Sequence, residues 1–470
     1  LYSKEGVTQG DPISMFIYGL ALLPLIRQLK AEFPTVQQPW YADDAGAGGK
    51  FDAIRRHFVR LKEIGPNFGY FPESLKSILI VPQYNYIEFT VKICSQYLGG
   101  FIGDDIDSQQ WIRDTTRDWE AAITDLASVS LKYPQSAYSG LQKSLQQEWQ
   151  FVQRVVKDVG EEFEGIERAL ACTFLPALFN DNYDVAADPC RQLASLPVKH
   201  AGLAFPDPTE STEANYDASI LVCSHLLAAF RGVDEFRTAD HLAVIREVKT
   251  ELRQRNLEKN DSELASLASK LSCDDRRTIL RGKETGQWLS VLPSTVNGTE
   301  LSAQEFRDAL LLRYARSPAD LPSHCDGCGQ VFSVRHALEC KKGGLVICRH
   351  NEIRDELVDL ASKALIPSAV RDKPRIHSSH AATEEKEPTD PSQPAVARQR
   401  KNRNEDRGDV LIRGLWARGT DCIIDVRITD LDAKSNRSRD PMKVLAAHER
   451  EKKKKKYLEP CLRLSSSPME

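Results

Sequence analysis

The sequence predicts a multidomain α+β chain, and three observations carry that expectation. Short apolar runs alternate with helical spacing near the start, helical periodicity governs the middle, and a compact Cys/His stretch precedes two further apolar runs. A length of 470 residues leaves room for about three domains. From Pro12 to about Glu32, Phe16, Leu20, Leu23, Ile26 and Leu29 recur at helical spacing, and Pro12 suits a first turn, where its missing N–H costs nothing. Trp40-Tyr41-Ala42, a carboxylate turn and Ala45-Gly46-Ala47-Gly48-Gly49 read as a β-hairpin, Phe51 to Ile64 as a helix, and Ser77 to Val81 and Tyr97 to Ile102 as strands. These make residues 1–107 one α+β domain.

Residues 108–316 read as helical, with Trp111, Trp119 and Trp149 packing helix against helix and the segment Leu196 to Pro206 interrupting them. No repeat of fixed period is present. Residues 317–370 hold the Cys/His stretch and a helix reaching Ala364. Residues 371–407, polar and rich in Pro, Ser, Glu and Lys, read as a flexible linker or a surface insertion. In 408–470, Val410-Leu411-Ile412 and Cys422 to Ile428 read as strands and Met442 to Leu458 as a helix, a small α/β unit that the chain can stop short of completing.

Net charge is −4, which excludes a molecule basic throughout, but nucleic-acid binding depends on local clusters. One cluster runs through Arg398, Arg400, Lys401, Arg403 and Arg407, and another is Lys452 to Lys456. Each reads either as a contact to phosphates or as a solvated face, and the second also as a nuclear localisation signal. No apolar run is long enough for a membrane span. Eleven cysteines spread along the chain fit reduced thiols in the cytosol or nucleus, with clustered ones binding metal.

The most informative pair of segments is Gln9-Gly10-Asp11-Pro12-Ile13-Ser14 and Trp40-Tyr41-Ala42-Asp43-Asp44. Twin carboxylates at a tight turn can hold divalent cations against a phosphate, and glycines let backbone approach a nucleotide closely. Lys76 follows, placed for a phosphate contact, and then Tyr97-Leu98-Gly99-Gly100. In this order and spacing the segments resemble motifs of the reverse transcriptases of non-LTR (LINE-type) retrotransposons. The resemblance implies a palm with Asp43 and Asp44 as catalytic ligands of Mg2+ or Mn2+. It places Gln9, Gly10 and Ser14 at the nucleotide, with Lys76, and Tyr97 and Gly99 in the hairpin that grips the primer. Residues 108–316 become a thumb and connecting region. The family's first palm aspartate and its fingers have no counterpart after Leu1, so a missing N-terminal half is expected.

Cys325-x2-Cys328-x7-His336-x3-Cys340 has the donor types and spacing of a zinc knuckle, the alternative being a buried reduced cluster. With Arg349-His350-Asn351 after it, the stretch resembles the Cys-Cys-His-Cys motif of the retrotransposon class with a restriction-like endonuclease. His350 and Asn351 are candidates for nucleic-acid contact, His350 equally for a structural role.

Asp409 opens one apparent strand and Asp425 ends the apolar part of the next, an arrangement that brings two Mg2+-binding carboxylates to one sheet edge. The spacing resembles the PD-(D/E)XK nuclease core of the same class, with Gly408 in the usual proline position and Arg427 where many such nucleases carry lysine. The resemblance implies a lysine from the following helix, Lys452 or Lys453, with Glu449 and Tyr457 nearby. The whole reads as an RNA-directed DNA polymerase fragment with an endonuclease for target-primed reverse transcription. Its partners are an RNA template, target DNA and dNTPs, with no membrane, and it works in the nucleus after synthesis in the cytoplasm. The alternatives are a zinc-knuckle protein that only binds nucleic acid and a decayed element without catalysis. Because Asp43 and Asp44 supply one side of a metal pair only, the isolated chain is expected to show no primer extension; template-directed extension abolished by Asp43→Ala is the contrary result.

Overall fold

The computed structural model describes residues 12–41, 44–73, 76–80, 90–92, 94–180, 189–283, 285–340, 342, 345–374, 408–431, 436 and 438–452. The chain is mixed α and β, mostly helical with small sheets, and it divides into two compact units. The first comprises Leu1–Leu271 and Gly282–Arg307, the second Ser272–Arg281 and Asp308–Glu470.

In the first unit, α1 (Ser14–Glu32) packs on α2 (Phe51–Ile64) through Leu22, Leu25, Leu29, Leu61 and Ile64. The buried face is Leu22, Leu25 and Leu29, not the stripe beginning at Phe16 and Leu20, which are 72% and 58% exposed. Helix α1 is apolar at nearly every position from Leu20 to Ile26, so spacing alone could not choose its inner face. Between the helices, β1 (Trp40–Tyr41) pairs antiparallel with β2 (Asp44–Ala45), Trp40 opposite Ala45 and Tyr41 opposite Asp44. A Gln37–Gly48 bridge extends this hairpin, and Trp40 meets the Tyr70 ring edge-on at 5.3 Å.

Strands β3 (Ile78–Ile80) and β4 (Thr90–Lys92) pair in parallel; β5 (Ser95–Tyr97) and β6 (Gly100–Ile102) pair antiparallel. Among the described residues these pairs remain separate two-stranded ladders. The run Tyr97 to Ile102 is therefore a hairpin and not one strand, because Leu98 and Gly99 adopt positive φ (48° and 79°) and turn the chain.

Helices follow: α3 (Asp105–Ser130), α4 (Pro134–Gly140), α5 (Gln146–Val155), α6 (Glu164–Ala169), α7 (Leu175–Phe179), α8 (Cys190–Ser195), α9 (Pro208–Phe230) and α10 (Thr238–Ser269). Asp104 caps α3 by accepting from the Asp107 N–H at 2.8 Å, and Asp207 caps α9 through Thr209. Trp119 lies between Trp149 and Phe163, ring centroids 6.3 Å from each, so it joins helices as its spacing implies. Trp111 instead stacks on Phe101 of β6 at 5.4 Å.

The segment Leu196 to Pro206 does interrupt the helices, but it is buried. Leu196, Ala201, Leu203 and Phe205 are at most 2% exposed. Polar partners satisfy its backbone as burial requires: the Tyr138 hydroxyl donates to Leu203 O at 3.0 Å and Arg191 Nη1 to Phe205 O at 2.8 Å. Phe205 meets Tyr138 and Phe174 edge-on, and Trp288 meets Phe306.

In the second unit lie α11 (Cys273–Arg281), the C-terminal part of α12 (Ala303–Arg313), α13 (Val334–Glu339) and α14 (Leu345–Ala364). Strands β7 (Val370–Asp372), β8 (Val410–Arg413) and β9 (Asp421–Ile424) form an antiparallel sheet in the order β7-β8-β9, and α15 (Pro441–Lys452) ends the described chain. Ala361 of α14 packs on Val410 and Ile412, with Leu357, Val358, Val370 and Ile424 around them. The start of the expected linker, Arg371 and Asp372, is thus sheet; its remainder from 375 to 407, with the basic cluster, lies outside the described residues.

A Cβ added at Gly202 would sit 1.8 Å from the Leu196 carbonyl oxygen. Gly202→Ala is expected to destabilise the first unit by about 1–3 kcal/mol, the usual cost of overpacking a buried site. A lower thermal midpoint and faster proteolysis check this, with Gly19→Ala, which meets nothing within 4 Å, as the control.

Candidate metal centre

The ordering of Cys325, Cys328, His336 and Cys340 begins with local backbone. His324 bridges to Val331, Cys325 N–H donates to Gln330 O at 2.9 Å, and Gly329 N–H donates to Cys325 O at 2.7 Å. Gly329 takes φ +70°, which a side chain would resist, and closes the turn that turns two thiols inward. Ser333 then caps α13, its hydroxyl accepting from the His336 N–H at 3.0 Å. One helical turn carries the chain from His336 to Cys340, whose N–H donates to His336 O at 2.8 Å.

The result is a Cys3His cluster whose donor atoms all lie within 4.8 Å of one another. Cys325 and Cys340 are buried, and their sulfurs stand 3.8 Å apart. A tetrahedral zinc with bonds of about 2.3 Å needs S–S edges of about 3.8 Å. The Cys328 Sγ–His336 Nε2 edge is 3.1 Å. The cluster can therefore hold a metal ion such as zinc, and none of these cysteines is in a disulfide. The Gln330 backbone hydrogen bond pulls the Cys328 thiol down, but desolvation and the Cys325 and Cys340 thiols outweigh it, so Cys328 lies above the ordinary thiol range. A cation reverses that balance, because a coordinated thiol is deprotonated.

The candidate carboxylates of the second unit flank β8 and β9 at one end of their ladder, Asp409 just before β8 and Asp425 just after β9. Asp409 N–H donates to Ile424 O at 3.0 Å. Asp409 Oδ2 accepts from Val426 N–H at 2.7 Å and lies 3.4 Å from His350 Nε2 on α14. His350 Nε2 is also 3.1 Å from Val426 O; a carbonyl only accepts, so this nitrogen carries the hydrogen. Nearby on α14, the buried Arg354 bonds Asn351 and Asp355 and approaches Asp372 of β7 at 3.4 Å. Arg354 and Asp372 carry no mark in the sequence, because Val370-Arg371-Asp372 holds one apolar residue and two charges and shows no strand period. Lys452 is the last residue of α15, its side chain lying with Lys453 outside the description.

Of the first unit's candidates, Gln9, Gly10 and Asp43 lie outside the described residues. Asp44 is exposed on β2, and Ser14 is buried at the start of α1. Lys76 is exposed in a turn. The two hairpins approach each other: a Cβ at Gly46 would lie 3.0 Å from the Tyr97 hydroxyl, and burial, with the Asp44 charge adding to it, lifts the Tyr97 phenol above its ordinary range. Gly99 sits against α5: a Cβ there would meet Phe151 at 2.9 Å. No protein-family model matches this chain, and no curated protein matches it either. No helix among the described residues is long and apolar enough to cross a membrane.

The purified chain is expected to carry one zinc, and Cys340→Ser to lose it. Metal analysis and an intense visible spectrum on cobalt substitution check this. Since thiols must release protons to bind, metal affinity should fall as pH drops.

Proposed function

We propose that this chain belongs to a nucleic-acid-processing protein of the non-LTR retrotransposon class. It joins a reverse-transcriptase palm segment to an endonuclease that nicks target DNA for target-primed reverse transcription. RNA template, target DNA and dNTPs are its partners, and the nucleus is its place of action. The supporting observation is the convergence of Asp409 and Asp425 on one end of the β8–β9 ladder, beside a helix that follows the Cys3His cluster.

Two carboxylates on adjoining strand ends suit a hard cation. Mg2+ there would polarise the scissile phosphodiester and stabilise charge on the leaving oxygen. The chain's own residues do the positioning. Val426 N–H and His350 fix Asp409 before any ligand arrives, while α14 and β8 hold both strand ends in place through Ala361, Val410 and Ile412. Zinc at the Cys3His cluster would be structural, tying the knuckle to the helix α13. Asp44 on its hairpin, with Tyr97 beside it, supports the palm segment.

A second reading has its own observation: Asp409 is already engaged by Val426 and His350, as a structural carboxylate would be. On that reading the chain binds nucleic acid without cutting it. Conversion of supercoiled plasmid to nicked circles separates the two. The endonuclease reading expects Mg2+-dependent nicking that falls at least about 10- to 100-fold in Asp425→Ala, since losing even a group that only orients a metal ligand costs that much. Binding without nicking in the unsubstituted chain supports the second.

A further inference from the structure

At the end of the β8–β9 hairpin away from the carboxylates, Trp416 is 82% exposed. Large aromatic side chains are rarely left so open. This one is held. Its Nε1–H donates to Cys422 Sγ at 3.2 Å. Gly414 and Gly419 frame the loop with φ of +81° and +82°. Gly414 N–H donates to Thr420 O at 2.7 Å, and the Thr420 amide and hydroxyl both donate to Ala417 O. A rigid loop loses little freedom on binding.

The same loop borders an open groove of about 430 Å³, lined by Ile366, Ser368, Arg413, Gly414 and Arg418 among others. Arg413 pairs with Asp421 at 2.8 Å, and Arg371 also acts on that carboxylate. One acid thus answers both Arg371 and Arg413, and Arg418 lines the groove beside Arg413, so the groove stays cationic. Arg418 is exposed and makes no ion pair among the described residues. An apolar protein partner would favour the indole without the excess charge. A base stacked on the ring with its phosphate at the arginines uses both.

We propose that the β8–β9 loop is a docking site for single-stranded nucleic acid, with an unpaired base stacked on Trp416 and the adjoining phosphate at Arg418. The site rests on the nucleic-acid reading above. The four paired residues of β8 span about 14 Å at roughly 3.4 Å each, which equals about four nucleotide steps along a stacked strand. The loop therefore grips a strand a few nucleotides from Asp409 and Asp425.

The test measures fluorescence anisotropy of a labelled short oligothymidylate with the full chain and no added Mg2+, so cleavage does not enter. Trp416→Ala is expected to weaken binding about 10-fold, within the range for losing one stacked base, while Trp416→Phe keeps most of the affinity. Arg418→Ala is expected to reduce the salt-dependence slope by about 0.7. Unchanged thermal melts show that the variants fold. Affinity of Trp416→Ala within about twofold of the unsubstituted chain overturns the proposal, as does a change in self-association with oligonucleotide binding intact, which would make the loop a protein contact. Plasmid nicking is scored separately: nicking with a silent Trp416 overturns this site alone, and lost oligonucleotide binding in a chain that never nicks overturns the nuclease alone.

Discussion

The second unit depends on the apolar seam between α14 and β8. Val410 and Ile412 are at most 2% exposed, and Ala361 covers them from the helix. The carboxylates and their partners on α14 stand at the margin of that seam. His350 reaches Asp409 because α14 lies across the sheet, and Asp372 reaches Arg354 because β7 pairs with β8. Dry packing at the centre is what lets charged groups at the rim keep fixed positions without ligands to hold them.

The Cys3His cluster gains its order differently, from short-range backbone. A turn at Gly329, a cap at Ser333 and one turn of α13 set the four donors. Such a motif needs little from the rest of the fold, which is why it was legible in the sequence by spacing alone. The helix Phe51–Ile64 was equally legible, since its apolar positions fall on one face and charges fill the other. The β8 and β9 runs stood out because turn residues separate them.

Less could be read where composition is uniform or contacts are distant. Helix α1 offered several apolar faces, and only contact with Leu61 and Ile64 selects Leu22, Leu25 and Leu29. The segment around Gly202 reads from the sequence only as a break between helices; its burial rests on the distant Tyr138 and Arg191, which supply the hydrogen bonds that let it lie inside. Trp111 has the spacing of a helix-packing residue but finds Phe101, because the neighbouring hairpin lies against α3. Strand β7 is three residues long and carries two charges, so no period marks it before its partner is known.

Arg277 of α11 donates to the carbonyls of Leu431 and Arg439, 154 and 162 positions further along. On the ribosome, at roughly 5–20 residues per second, that arginine waits about ten to thirty seconds for its acceptors to be made. Meanwhile the stretch Gly282–Arg307, which belongs to the other unit, is synthesised and can settle there. The C-terminal body is therefore closed by a clasp laid down early, and a piece cut to begin at Asp308 would lack it.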